Sequence, residues 1–224
     1  MKSLLTVALL ASTSFVAPQD AAKDPDPRPF TDTFLVDEKD LSSTGRNPYF
    51  ILEPGYQLVL EGGVIIRKEV LTITVLDETK KIGGVETRVV EERETVDGKV
   101  KEVSRNYFAI CRKTNSVYYF GEDAGGAWIH GEKGARFGLM MPGTVLLAAR
   151  HYQEIAPGVA MDRAEVMSLS EKVETPAGKF EKCLKVLETT PLEPDDKAYK
   201  IYAPGIGLVQ EGGMKLVRHG QAAK

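Results

Sequence analysis

The residues able to do chemistry in this chain are few and scattered. They are His130, His151 and His219, Cys111 and Cys183, and the adjacent pair Met140-Met141. A metal site needs several nitrogen, sulfur or oxygen ligands that converge, commonly at short internal spacing. The three histidines are far apart in sequence, and His219 lies near the C-terminus. His130 and His151, with the acidic residues around them, come nearest to a metal-binding set. Met140-Met141 can offer thioethers to copper or fill an irregular gap in a core. A cysteine hydrolase would need a thiolate touching a base, yet both cysteines stand in strand-like stretches. Acidic pairs such as Glu122-Asp123 and Asp195-Asp196 read as turn residues. The run Glu91-Glu92-Arg93-Glu94 alternates in sign and reads as the solvated face of a strand.

No phosphate loop, dinucleotide fingerprint, zinc helix motif or serine elbow is present. The glycine run Gly121 to Gly126 lacks the strand-to-helix setting that phosphate binding requires. The function is therefore read as non-enzymatic, with no cofactor and no bound metal. Formal net charge is −3 over 224 residues, which has the wrong sign for a nucleic-acid-binding face.

The N-terminus carries a different kind of signal. Lys2, the apolar run Leu4 to Ala11 and the small residues after it have the form of an export leader. That run is too short to span a bilayer, and no later stretch is long and apolar enough. Leu10-Ala11-Ser12 is followed by Thr13, so no thiol is available for a lipid anchor. The expected organisation is a signal peptide over 1–17, a Pro/Asp-rich linker over 18–46, one domain over 47–219 and a flexible tail over 220–224. The expected location is periplasmic or secreted. In such a compartment Cys111 and Cys183 can form one disulfide or remain two buried thiols.

The elements that would position these residues are strands. Tyr56 to Glu61, Val64 to Leu76, Val85 to Thr95, Lys101 to Arg112 and Ser116 to Phe120 follow one another. Asp97-Gly98 supplies a tight hairpin turn. Gly121 to Gly143 reads as a loop with a short strand near Trp128. Thr144 to His151 fits two helical turns or an extended segment. Ala160 to Glu174 and Phe180 to Thr190 flank the turn Thr175 to Gly178, with Phe180, Leu184 and Val186 on the buried face and Cys183 on the other. Lys197 to Tyr202, Gly207 to Glu211 and Met214 to Arg218 complete the chain. About ten strands with little helical periodicity predict an all-β fold: a curved antiparallel sheet forming a half-barrel or open barrel.

Three segments resemble TapB-like secreted domains: Asn47-Pro48-Tyr49-Phe50-Ile51-Leu52-Glu53-Pro54-Gly55-Tyr56, then Thr175-Pro176-Ala177-Gly178-Lys179-Phe180, then Tyr202-Ala203-Pro204-Gly205-Ile206-Gly207-Leu208-Val209. The resemblance implies a fold similar to the lipoprotein-carrier (LolA/LolB-like) half-barrel, with an apolar concave face. It implies a lipid, another hydrophobic ligand or a lipidated protein segment as partner, or an envelope protein. The residues expected to line that face are Leu58, Leu60, Ile73, Val75, Tyr107, Phe108, Tyr119, Trp128, Phe137, Leu139, Met140 and Leu184. Two rivals stand beside this reading. One is an interaction module with a filled core that docks a partner by strand addition. The other is a metal-binding protein using His130 and His151.

Overall fold

A computed structural model describes residues 28–64, 67–124 and 127–222. The expected leader at 1–17, the first part of the expected linker and the last two residues lie outside them. After a single 3-10 turn at Glu38–Asp40 the described residues form strands β1 (Leu41–Ser42), β2 (Gly45–Asn47), β3 (Phe50–Leu52), β4 (Tyr56–Val64), β5 (Arg67–Ile82), β6 (Val85–Val96), β7 (Lys99–Cys111) and β8 (Val117–Asp123). Then come β9 (Trp128–Ile129), β10 (Arg136–Met141), β11 (Arg150–Tyr152), β12 (Glu154–Ile155), β13 (Arg163–Thr175), β14 (Gly178–Thr189), β15 (Lys197–Ala203), β16 (Gly207–Glu211) and β17 (Met214–Gln221).

Local chemistry sets the hairpins. Asp97 and Gly98 have φ of 51° and 76° between β6 and β7, the paired positive values that a two-residue hairpin turn needs. Gly83 and Gly84 do the same between β5 and β6, at 57° and 91°. The sheet runs through β5 as far as Ile82, beyond the expected end at Leu76.

Fifteen strands form one antiparallel sheet, and β2 and β3 form a separate hairpin. Strands β4 to β8 and then β10 make one meander; β13 to β17 make another. Strand β17 pairs with β4 and joins them. The expected curved sheet is therefore present and goes further, to a nearly closed barrel with one open seam. At that seam a single segment serves both sides: β11 pairs with β13, and β12, one residue later, pairs with β10.

Strand alternation separates two packed layers. Phe108 and Ile110 of β7 join the main core with Leu52, Leu60, Leu184 and Leu216. Tyr107, Ala109 and Cys111, pointing the other way, join a second core with Tyr118 and Phe120. That second core is covered by the N-terminal arm through Phe34, Val36 and Leu41. The described part of the expected linker is thus a docked arm rather than a spacer. Thr31 N–H donates to the Arg150 carbonyl at 3.0 Å, and Tyr152 N–H donates to the Thr31 carbonyl at 2.9 Å. On the opposite side of the seam, the Arg136 guanidinium lies 3.5 Å from the Asp32 carboxylate.

Candidate functional site: a charged floor in an apolar barrel

The β2–β3 hairpin builds one wall of the site. Asn47 Nδ2 donates to the Asn115 and Pro142 carbonyls at 2.8 and 2.9 Å, and its Oδ1 accepts from Tyr49 N–H at 2.7 Å. This buried amide fixes Pro48 and Tyr49. In turn Gly205 N–H donates to the Pro48 carbonyl at 2.7 Å, and Tyr56 Oη donates to the Ile206 carbonyl at 2.8 Å. The first and last segments singled out in the sequence therefore meet.

Behind them lies a cavity of about 60 Å³. Its walls include Tyr49, Phe50, Leu58, Ile73, Val75 and Met140, and Glu92, Lys200 and Glu211 also line it. A wider cavity of about 660 Å³ shares Glu92 and Glu211 with it and carries Glu69, Glu94, Lys185 and Lys197. The two spaces thus meet at a charged floor.

The floor is ordered by ion pairs. Lys200 Nζ lies 2.8 Å from Glu188 and 3.3 Å from Glu211. Burial works against the lysine's charge, but the two carboxylates outweigh it and hold its pKa well above the usual value. Glu188 also accepts from Gln153 Nε2 at 2.9 Å, which ties the floor to the seam. Glu92 behaves differently. Among the described residues its carboxyl has no hydrogen bond or ion pair. Burial pushes its pKa up to about 7, opposed by Lys200 and reinforced by Glu211, Glu122 and Glu188. Nearby, the Tyr119 hydroxyl donates to Asn106 Oδ1.

The twelve expected lining residues divide by layer. Leu58, Ile73, Val75 and Met140 line the 60 Å³ cavity. Leu60, Phe108 and Leu184 are buried in the main core, with Tyr119 stacked on Phe108 at 4.7 Å. Tyr107, Phe137 and Leu139 belong to the second core, on the opposite face of the sheet. Trp128 sits in a small third cluster with Ala135 and Ala156, edge-on to Tyr119 at 5.1 Å. Beyond Leu58, Ile73, Val75 and Met140, none of the twelve lines this cavity. A step of one residue along a strand turns a side chain to the other face, and the docked arm makes that face apolar too.

Glu92 and Lys200 escaped the sequence reading. Glu92 is on the inward face because it pairs across from Ile73, while Val90 pairs with Val75. Its period-two spacing from Val90 was the available signal, hidden by the charges at 91, 93 and 94. Lys200 pairs across from Val186 in the same way.

Cys111 and Cys183 are buried free thiols in different cores, so the bridge left open by the sequence is not formed. Cys183 is fully buried beside Leu184 rather than turned away from the core. The cause is a bulged β13–β14 ladder with Lys182 at φ 55°. His130 Nδ1 accepts from Phe137 N–H at 3.2 Å and its ring packs on Phe120 and Phe137. His151 instead lines a small cavity beside Met140 and Gln153. Burial lowers its pKa to about 4. The two histidines thus serve different layers, and among the described residues no three His, Cys, Asp or Glu side chains are grouped to hold a metal. No helix among them is long and apolar enough to cross a membrane.

In comparisons with known proteins, no family model, no curated protein and no solved structure matches the chain.

Proposed function

We propose that this is a non-enzymatic exported protein that binds a ligand with a slender apolar part inside its barrel. The carrying observation is the apolar cavity walled by Tyr49, Phe50, Leu58 and Ile73 and ending on Glu92 and Lys200. Sites of this composition, apolar walls with a few placed polar groups, are what small-molecule pockets are made of. The cavity bounds the ligand. About 60 Å³ holds about four water-sized spheres, which suits a short alkyl chain or tail end and not the whole of a lipid. The remainder of such a ligand would occupy the wider cavity beyond Glu92. The leader-like N-terminus and the resemblance to TapB-like and lipoprotein-carrier domains support an envelope setting.

The test is native mass spectrometry of the full chain, exported with its own leader into an oxidising periplasm and not extracted with solvent. A bound small-molecule mass that disappears in Ile73→Trp, which fills the cavity, is the expected result. A bare chain that also fails to bind short alkanols saturably would overturn the reading.

A further inference from the structure

We propose that the ligand carries a protonated amine or similar cation, and that Glu92 is the residue that anchors it. This inference rests on the barrel-interior binding reading and adds the chemistry of the ligand's polar group.

Four carboxylates line the wide cavity: Glu69, Glu92, Glu94 and Glu211. Glu69 is 3.1 Å from the Arg67 guanidinium, Glu94 is 2.7 Å from Lys101 Nζ, and Glu211 is 3.3 Å from Lys200 Nζ. Glu92 alone of the four has no such partner among the described residues. It is also the one placed, with Glu211, where the wide and narrow cavities meet.

Each ligand class meets this floor differently. A carboxylate entering the narrow cavity would face Glu92, and at Lys200 would meet an ammonium already paired with two carboxylates, Glu188 and Glu211. A neutral polar group would leave the Glu92 carboxyl without a countercharge. A cation would supply the missing charge, with its apolar part against Ile73, Val75 and Val90, which neighbour Glu92 on β5 and β6. Removing a carboxylate and an ammonium from water together is costly, so geometry decides the net gain. Here the fold already half-buries the Glu92 carboxyl against apolar walls, so part of its desolvation is met before the ligand arrives.

Three probes of equal tail length separate the possibilities: n-hexylamine, n-hexanol and hexanoate, titrated calorimetrically into the full chain at pH 8. The expected order is amine above alcohol by about tenfold, a typical return for one well-placed charge pair, with hexanoate weakest. In Glu92→Gln the amine should fall to the level of the alcohol, while Glu94→Gln, which loses only its pair with Lys101, should keep the preference. Equal binding of amine and alcohol by the unaltered chain would overturn the anchor and leave the barrel reading standing. Tightest binding of hexanoate would overturn it in favour of Lys200. Saturable binding of none of the three would overturn both. The unaltered chain alone decides these outcomes, so they hold even if Glu92→Gln does not fold.

Discussion

Thr31 and His151 are bridged in parallel across the one gap in the sheet. The bridge makes the N-terminal arm a strap on β11, and the strap is held by Phe30. The Phe30 ring lies 3.9 Å from the Arg150 guanidinium carbon and 4.4 Å from that of Arg163. Replacing Phe30 with Ala removes both cation–π contacts and a half-buried ring. We expect a loss of about 1–2 kcal/mol in urea unfolding. Amide exchange at Tyr152, whose N–H bonds to Thr31, should accelerate more than exchange at Leu60.

Lys200 is the countercharge for two half-buried carboxylates, Glu188 and Glu211. Lys200→Met leaves Glu188 and Glu211 uncompensated beside Glu92. At pH 7.5 the expected cost is about 1–3 kcal/mol, between that of an exposed and that of a fully buried pair. It should shrink when unfolding is measured at pH 5, because carboxyls brought together without a cation take up protons. A pH-independent cost would mean that the methylene stem, and not the charge, matters.

Glu92 and His151 shape the acid limb of stability in opposite directions. The folded Glu92 carboxyl titrates at about 7 instead of 4.5, from burial and then the opposing field of Lys200 and the reinforcing fields of Glu211, Glu122 and Glu188. The folded state therefore binds the proton more tightly, and this contribution to stability falls as pH rises from 4.5 to 7. Glu92→Gln should improve relative to the unaltered chain over that window, by about 3 kcal/mol in total.

His151 titrates at about 4 in the folded state instead of 6.5, because burial disfavours its cation, against the pull of Glu188 and a hydrogen bond to the Leu139 backbone. The unfolded chain binds the proton more tightly, so this contribution falls as pH drops from 6.5 to 4. His151→Leu should gain relative stability on acidification through that range, again by about 3 kcal/mol. In the unaltered chain the two effects oppose each other between 4.5 and 6.5. Each substitution should therefore expose the slope of the other in unfolding curves collected across pH.

Gly143 marks a close backbone contact. A Cβ built there would stand 1.6 Å from the Thr114 carbonyl oxygen, and one at Gly138 would stand 2.3 Å from the Gln153 carbonyl oxygen. Both obstacles are main chain and cannot swing aside. Gly143→Ala should cost about 3 kcal/mol, whereas Gly134→Ala, where nothing lies within 4 Å but φ is +82°, should cost about 1 kcal/mol. Thermal unfolding of the two variants makes the comparison.

The fold was legible where a turn or an alternation declared itself. Asp97-Gly98 placed the β6–β7 hairpin, and Thr175 to Gly178 placed the β13–β14 hairpin. The stretch from Gly121 to Gly143 was not, since its glycines suggested a loop; Gly138 instead lies within β10, where its missing side chain admits the Gln153 backbone. The site was half legible. Leu58, Ile73, Val75 and Met140 could be named from apolar patterning, but Glu92 could not, because a charged residue facing inward contradicts the pattern that identifies the inward face. Tyr107, Phe137 and Leu139 misled for the complementary reason: a tertiary cover, the arm, makes an outer face as apolar as an inner one.

The segment from Arg150 to Ile155 touches β13 with one end and β10 with the other. A sheet ordinarily has two rims of unpaired amides and carbonyls, and those rims recruit foreign strands into fibrils or mispaired dimers. Here one short peptide covers the seam end of both, over Arg163–Glu165 of β13 and Arg136–Phe137 of β10, and the arm takes the amide of Tyr152 that β13 leaves over. Capture of a partner by strand addition at the seam would first require this peptide or the arm to let go, whereas the outer edge of β13 beyond Val166 pairs with no strand among the described residues. At the seam the same arrangement gives a guard against self-association that does not depend on surface charge, suited to a protein with a net charge of only −3.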